Sequence, residues 1–175
     1  MTTAYRMLRR SRVTALDTVL VTGAGGGLAT ACQLLAQHLG ATVFTTSRDP
    51  LKRERSIAMG AADSFDSTGE YPVRADVVVD SIGPAVWPQM MRCLAPGGRL
   101  VTSGGTSGSI VELSLPRLFF KQYELIGSTL GSAEEFSRVT ALMSEGFPSR
   151  STGSSTTTST PTRSADSPME PSSAK

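Results

Sequence analysis

The sequence is poor in the residue types that build disulfides and metal sites. Its 175 residues include two cysteines and one histidine. Cys32 and Cys93 are far apart and form no CxxC pair, so we expect buried thiols in a reducing compartment, without a disulfide or zinc site. His38 lies late in a helical pattern, which favours a surface position over a ligand role.

Excess charge and long apolar runs are also missing. The 17 basic and 15 acidic side chains leave a net charge of +2, which is too small to indicate a nucleic-acid partner. No apolar run approaches the roughly 20 residues that span a bilayer, so we expect no membrane segment and a cytoplasmic protein. The arginines between Arg6 and Arg12 resemble a transit peptide. A short basic helix is the simpler prediction, because the folded pattern begins directly behind them.

A glycine cluster lies between a strand pattern and a helix pattern. The β-branched and leucine run 19–22 stops at Gly23, and the spacing Gly23-x-x-Gly26-x-x-Ala29 follows. Helix-period apolar residues begin at once, at Leu28, Cys32, Leu35 and Leu39. A strand, a glycine turn and a helix are typical of a dinucleotide-binding opening. Glycines let the backbone approach a pyrophosphate, and the helix start directs N–H groups towards it.

Strand and helix patterns alternate along the rest of the chain. The predicted strands are 17–22, 41–46, 63–65, 75–80, 99–103 and 124–128, and residues 96–98 are predicted to form a turn. The predicted helices are 3–12, 27–39, 49–59, 84–94, 113–122 and 132–145. This alternation predicts an α/β fold, a Rossmann-type doubly wound parallel sheet, in one domain over residues 1–146.

The residues at the strand ends predict the ligand. Ligands of such sheets bind beyond the carboxyl ends of the strands, which here carry small or polar residues. A site for NAD usually has Asp or Glu after the second strand, whereas this sequence has Ser47 and Arg48. A hydroxyl and a guanidinium suit a 2′-phosphate, and Lys52 adds charge one helical turn later. The sequence therefore predicts NADP (NADPH) in preference to NAD.

Several stretches together resemble a known family. In chain order they are residues 3–8, 19–29, 39–41, 59–61, 76–80 and 96–101. As a set they resemble the cofactor domain of medium-chain dehydrogenase/reductases, the superfamily of zinc-type alcohol dehydrogenases and quinone oxidoreductases. The resemblance covers about residues 2–145. It implies hydride transfer between NADPH and an alcohol, carbonyl, enone or quinone substrate.

The resemblance also implies roles for individual positions. The pyrophosphate would be held by Gly23, Gly26, Gly27 and Leu28. The adenosine phosphate would be held by Ser47, Arg48 and Lys52. The ribose and nicotinamide would lie along six residues, which are Ser81, Ile82, Gly83, Ser103, Gly104 and Gly105. The strand 123–128 would pair two copies into a homodimer. In the family a catalytic domain precedes this region, and none is present here, so we name no catalytic residue and expect no zinc site.

The last residues differ in composition from the rest. Residues 149–175 are rich in Ser, Thr and Pro and carry almost no large apolar side chains, which predicts a disordered tail over 147–175. Codons can be chosen that encode the residues from Ser151 onwards and that, when the reading frame is shifted by one base, encode Val-Asp-Arg-Val-Val-His-Tyr-Asp-Glu-Tyr. That peptide resembles the C-terminal segment of the family. We therefore hypothesise a frameshift near Gly146.

Three other interpretations compete with this resemblance. A short-chain dehydrogenase would need a Tyr-x-x-x-Lys pair, but the residues four positions after Tyr5, Tyr71 and Tyr123 are Arg, Ala and Gly. A methyltransferase would usually have an acidic residue where Ser47 and Arg48 stand. The third interpretation is a free-standing NADP-binding module, or an inactive gene fragment, without catalysis. It stays open because binding needs only residues that are present.

Overall fold

The computed structural model describes residues 1–145 and Phe147. The predicted tail and the hypothesised frameshift lie outside the described residues, apart from Phe147. That side chain is buried, and its ring meets His38 edge-on with centroids 5.1 Å apart. The domain boundary near residue 146 stays a prediction.

Six parallel strands form one sheet in the order β3-β2-β1-β4-β5-β6. The strands are β1 (Thr18–Thr22), β2 (Thr42–Thr46), β3 (Asp63–Phe65), β4 (Ala75–Asp80), β5 (Leu94–Thr102) and β6 (Glu124–Gly127). The helices are α1 (Thr2–Arg10), α2 (Gly27–His38), α3 (Pro50–Ala58), α4 (Trp87–Cys93), α5 (Leu115–Phe120) and α6 (Ala133–Ser144). The predicted Rossmann-type α/β fold is confirmed.

Two predicted elements differ from the structure. The helix expected over 84–94 is divided into a 3-10 turn, Pro84–Val86, and α4, since Pro88 lies in the first turn of α4 and supplies no N–H there. The turn expected at 96–98 is a bulge inside β5. Between two paired positions β5 advances five residues while β4 advances two, and Gly97 takes a φ of +73° to absorb the excess.

Apolar residues cover both faces of the sheet. Val19 and Val21 of β1 pack with α1 and α2 on one face, whereas Leu20 packs with α4 on the other. The valine run of β4 divides in the same way, so this strand is buried on both faces. Leu39, expected on the apolar face of α2, is instead 44% exposed, and α2 ends at His38, the residue before it.

Both cysteines are free and buried, as the sequence predicted. Burial raises the pKa of the Cys32 thiol to about 12, and it raises the pKa of Cys93 to about 12 as well. Because the thiolate is the reactive form, neither side chain is poised to act as a nucleophile. No helix in the described part of the chain combines the length and apolarity that crossing a membrane requires.

One carboxylate joins the first and last helices. The Glu135 side chain accepts from the backbone N–H of Ser132, 2.8 Å away, and from Arg6 Nε, 2.7 Å away. Ser132 accepts in return from Glu135 N, which completes a capping box at the start of α6. The Ser132 N–H and the Arg6 guanidinium hold the pKa of Glu135 below its ordinary value of 4.5.

Glu135→Gln should reduce the loss of stability in acid. The depressed pKa means that Glu135 stabilises the fold above pH 4.5, and that this stabilisation disappears as the pH falls through the lower folded-state pKa. Gln keeps the capping-box hydrogen bond but removes the charge. Urea unfolding between pH 3 and 7 measures the effect, with Glu134→Gln as the control at an exposed neighbour. Equal pH slopes for both variants would contradict the assignment.

Candidate functional site

The glycine turn, Gly23–Gly27, lies where β1 ends and α2 begins. In the sheet β1 has β2 on one side and β4 on the other, so the turn lies at the point where the strand order reverses. No side chain caps α2 at Gly26. Among the described residues, none accepts from the backbone N–H groups of Gly25, Gly27, Leu28 or Ala29. The turn therefore presents unpaired donors at a helix start, which is the usual cradle for a phosphate.

Lys52 lies directly across the glycine turn. Gly25 has a φ of +85°, and a Cβ built on it would stand 2.7 Å from Cδ and 2.8 Å from Cγ of Lys52. Only a glycine leaves room for that stem at this backbone angle. The structure thus brings together Lys52, which follows β2, and the turn that follows β1. Its positive charge reinforces the N–H groups as an anion site.

The other two residues predicted for the adenosine phosphate have different surroundings. Ser47 is buried, and its hydroxyl accepts from the Asp49 N–H at 3.2 Å. Arg48 is exposed, and neither it nor Lys52 forms an ion pair within residues 1–145. The Asp49 carboxylate accepts from Leu51 N at 2.9 Å and caps α3. The end of β2 therefore offers a free guanidinium, while the nearby carboxylate is engaged in capping.

Sequence reasoning missed Asp80, the last residue of β4. Its side chain is 1% exposed and accepts from the backbone N–H groups of Ile82 at 2.9 Å and Gly83 at 3.1 Å. Thr22 Oγ1 donates to it at 2.9 Å, and Thr102 Oγ1 lies 3.3 Å away. A carboxylate directly after three buried valines was the signal available in the sequence, because such a group must find donors.

The segment that follows, Ser81–Gly83, is wedged between two loops. Ile82 reaches the glycine turn, where a Cβ on Gly23 would lie 3.3 Å from Ile82 Cδ1. On the other side the Ile82 carbonyl accepts from Ser107 N at 2.9 Å. Gly83, with a φ of +86°, backs onto Gly105, whose Cα would lie 3.1 Å from an added Cβ. The predicted residues after β1, β4 and β5 are therefore contiguous.

An apolar crevice of about 390 Å³ opens beneath these loops. Its lining includes Asp80, Gly83, Gly104, Gly105, Leu125 and Gly127. Thr102 and Ser109 add polar side chains to this lining. A crevice of this size with a few polar groups is typical of a small-molecule site. The loops after β4 and β5 line it, and Ile82 of the first of these loops packs against the glycine turn, so its position fits the second half of a dinucleotide.

Metal-binding side chains do not cluster in this region. Within the described ranges, no three His, Cys, Asp or Glu side chains come close enough together to hold a metal ion. The residues in these ranges therefore do not form a zinc centre.

Comparison with known proteins identifies the lineage. The family model described as zinc-binding dehydrogenase matches residues 27–145. This chain belongs to that family. The chain is also similar to the quinone oxidoreductase of Pseudomonas aeruginosa, with 30% identity over 126 residues, covering 66% of this chain and 38% of that protein. The match confirms the resemblance that the sequence predicted. It does not support the short-chain dehydrogenase or the methyltransferase interpretation.

Solved structures give the same result. A thermostable alcohol dehydrogenase from Pyrobaculum aerophilum superposes with a TM-score of 0.75 at 32% identity, covering 83% of this chain and 44% of that one. A structure described as an NAD-dependent alcohol dehydrogenase superposes with a TM-score of 0.76 at 30% identity, covering 83% and 46%. The chain thus spans less than half the length of each of these relatives.

Gly25→Ala should destabilise the protein, whereas Gly27→Ala should not. At Gly25 an L-residue would cost about 1–2 kcal/mol for its left-handed backbone, and the new methyl group would also displace Lys52. Gly27 begins α2 with nothing within 4 Å of an added Cβ, so alanine there is neutral or stabilising by up to about 1 kcal/mol. Urea unfolding compares the two free energies. Equal destabilisation by both variants would contradict this arrangement of the turn.

Proposed function

We propose that this chain binds NADPH as the cofactor domain of an oxidoreductase that transfers hydride between the cofactor and an alcohol, carbonyl, enone or quinone substrate. The observation that carries the proposal is the uncapped start of α2 behind the glycine turn, with Lys52 lying across it. Family membership supports the same conclusion, since the matched relatives are described as alcohol dehydrogenases and a quinone oxidoreductase.

Each predicted residue group has a place in this proposal. The backbone of Gly23, Gly26, Gly27 and Leu28 receives the pyrophosphate at the helix start. Ser47, Arg48 and Lys52 receive the adenosine phosphate. The ribose and nicotinamide lie along the six residues of 81–83 and 103–105, above the apolar crevice. When bound there, NADPH supplies the hydride.

The protein's own part in this proposal is binding and orientation of the cofactor. In the crevice the one titratable side chain among the described lining residues is Asp80, and its oxygens are occupied by the loop hydrogen bonds. No described side chain is therefore assigned to proton transfer. This keeps a binding module without catalysis as the alternative for the isolated chain. A cytoplasmic location likewise stays a prediction.

The preference for NADPH over NADH rests on the end of β2. NAD-type sites use a carboxylate there to accept from the ribose hydroxyls. Here the nearest carboxylate, Asp49, caps α3, whereas Arg48 is exposed and free of ion pairs in the described structure. A guanidinium forms charge-assisted hydrogen bonds with a 2′-phosphate, which are stronger than a hydrogen bond to the neutral ribose hydroxyl of NADH. One relative is described as NAD-dependent, so the preference must be tested on this chain.

Arg48→Ala should weaken NADPH binding about tenfold or more, as loss of a charge-assisted hydrogen bond of roughly 1.5–3 kcal/mol implies. NADH binding should change little, because NADH lacks the 2′-phosphate. Fluorescence titration of the reduced cofactor measures both constants. Arg55→Ala, in the last turn of α3, is the matched control, because α3 begins two residues after Arg48 and Arg55 is also exposed. Binding of NADH by the unaltered chain as tightly as NADPH would refute the preference.

We also propose that two copies pair through β6. This strand is the edge of the sheet in the described structure, so its outer backbone groups have no neighbouring strand. Large apolar side chains are exposed on and beside it, including Phe119, Phe120 and Leu125.

Leu125→Lys should convert the proposed dimer into a monomer, because a charge on the edge strand opposes strand pairing. Light scattering coupled to gel filtration gives the mass. Ile57→Lys in α3, on the opposite side of the sheet and 44% exposed, is the control and should leave the mass unchanged. A monomeric unaltered chain would disprove pairing through this edge.

A further inference from the structure

The buried Asp80 carboxylate joins three strand ends at the carboxyl edge of the sheet. Thr22 ends β1, Asp80 ends β4 and Thr102 ends β5, and the two threonine hydroxyls lie 2.9 Å and 3.3 Å from Asp80 oxygens. No basic side chain within residues 1–145 pairs with Asp80. Neutral donors alone therefore compensate its burial, and they come from different elements of the fold.

Half of those donors belong to the segment 81–83. Oδ1 accepts from Ile82 N at 2.9 Å, and Oδ2 accepts from Gly83 N at 3.1 Å. The two N–H groups are consecutive, so together they fix the direction in which the chain leaves β4. Gly83 then takes a φ of +86° and a ψ of −134°, a conformation that an unanchored loop would have little reason to keep.

The segment 81–83 contacts the glycine turn on one side and the loop after β5 on the other. Ile82 packs against Gly23 of the glycine turn, and Gly83 packs against Gly105 of the loop after β5. The carbonyls of Ser81 and Ile82 accept from Thr106 N at 3.3 Å and Ser107 N at 2.9 Å. A shift of the segment would therefore move the wall between the phosphate turn and the crevice, while the end of β2 is separated from it by β1.

We propose that Asp80 is a positioning residue for the nicotinamide half of the cofactor. It holds the segment 81–83 in place through the Ile82 and Gly83 N–H groups and does not touch the adenosine half. This inference rests on the proposed function, and it assigns a role to a side chain that does not itself reach the cofactor. It requires that loss of the anchor weakens binding of the whole dinucleotide more than binding of its adenosine end.

Asp80→Asn tests the inference with little change in volume. In asparagine an NH2 group replaces one of the two oxygens and must face either Gly83 N or Ile82 N. If the oxygen stays with Ile82 N, Gly83 N loses its 3.1 Å bond to Oδ2 and keeps only the longer 3.3 Å contact with Oδ1. The probes are NADPH and adenosine 2′,5′-bisphosphate, which lacks the second ribose and the nicotinamide. Calorimetry should show NADPH binding weakened by about tenfold or more, the effect of placing an NH2 group against a buried N–H, with the bisphosphate changed less than about twofold.

Asp76→Asn is the matched control, because it makes the same change near the amino-terminal end of β4, away from the segment 81–83. Asp76 accepts from Thr18 N at 2.8 Å, and asparagine can keep that single bond. Both ligands should bind this variant as they bind the unaltered chain. Parallel losses of both ligands in Asp80→Asn, together with a lower melting temperature, would show a merely structural role and overturn the proposal.

A second pair of variants covers the case in which Asp80→Asn does not fold. Thr22→Val removes one donor to Asp80 and keeps a β-branched side chain in the strand, and Thr22→Ser restores the hydroxyl. The valine variant should weaken NADPH binding selectively and exchange the Ile82 and Gly83 amides faster, and the serine variant should reverse both effects. Unaltered NADPH binding and amide exchange in the valine variant would contradict the role of Asp80. Failure of the unaltered chain to bind either reduced cofactor would instead refute the proposed function, and the role of Asp80 with it.

Discussion

The parallel arrangement of the strands is the constraint on which the rest of this structure depends. Parallel strands all end at one edge, so the residues that follow β1, β2, β4 and β5 meet there although they are far apart in sequence. The central strands must also be covered on both faces, which explains the unbroken valines of β4. The edge cannot be apolar, however, since backbone groups and strand ends meet solvent there.

Two devices serve that edge. The first is the absence of side chains: Gly25 and Gly83 take left-handed angles and leave the space that Lys52 and Gly105 occupy. The second is a buried carboxylate. Asp80 collects donors from strand ends and from the following segment, so three separate elements share one anchor. The glycines leave room for an anion at the turn, and the Asp80 carboxylate holds the segment 81–83 that lies between this turn and the crevice.

At the amino-terminal ends of the strands, an ion pair and a hydrogen bond to a backbone carbonyl link the sheet to the residues after α1. Arg99 of β5 pairs with Asp17 and also donates to the carbonyl of Ser11 at 2.8 Å. This ties the residues after α1 to the sheet, while Glu135 ties α1 to α6. The first helix, which is mostly polar on its surface, is therefore part of the domain. Arg6 and Arg9 pair with Glu135, and Arg12 pairs with Glu124.

The sequence by itself determined the fold class and most element positions, because alternating strand and helix patterns, helix caps and glycine turns are local signals. It also located the glycine turn and the position of Ser47 and Arg48 directly after β2. Only the tertiary structure showed that Lys52 crosses the glycine turn and that Asp80 anchors the segment 81–83, since both depend on contacts between elements distant along the chain. The bulge at Gly97 was equally hidden, because a proline and two glycines predict a turn, while the pairing of β5 with β4 decides that the strand continues. Local patterns encode what a segment can form, and the choice between its possible neighbours is made by packing.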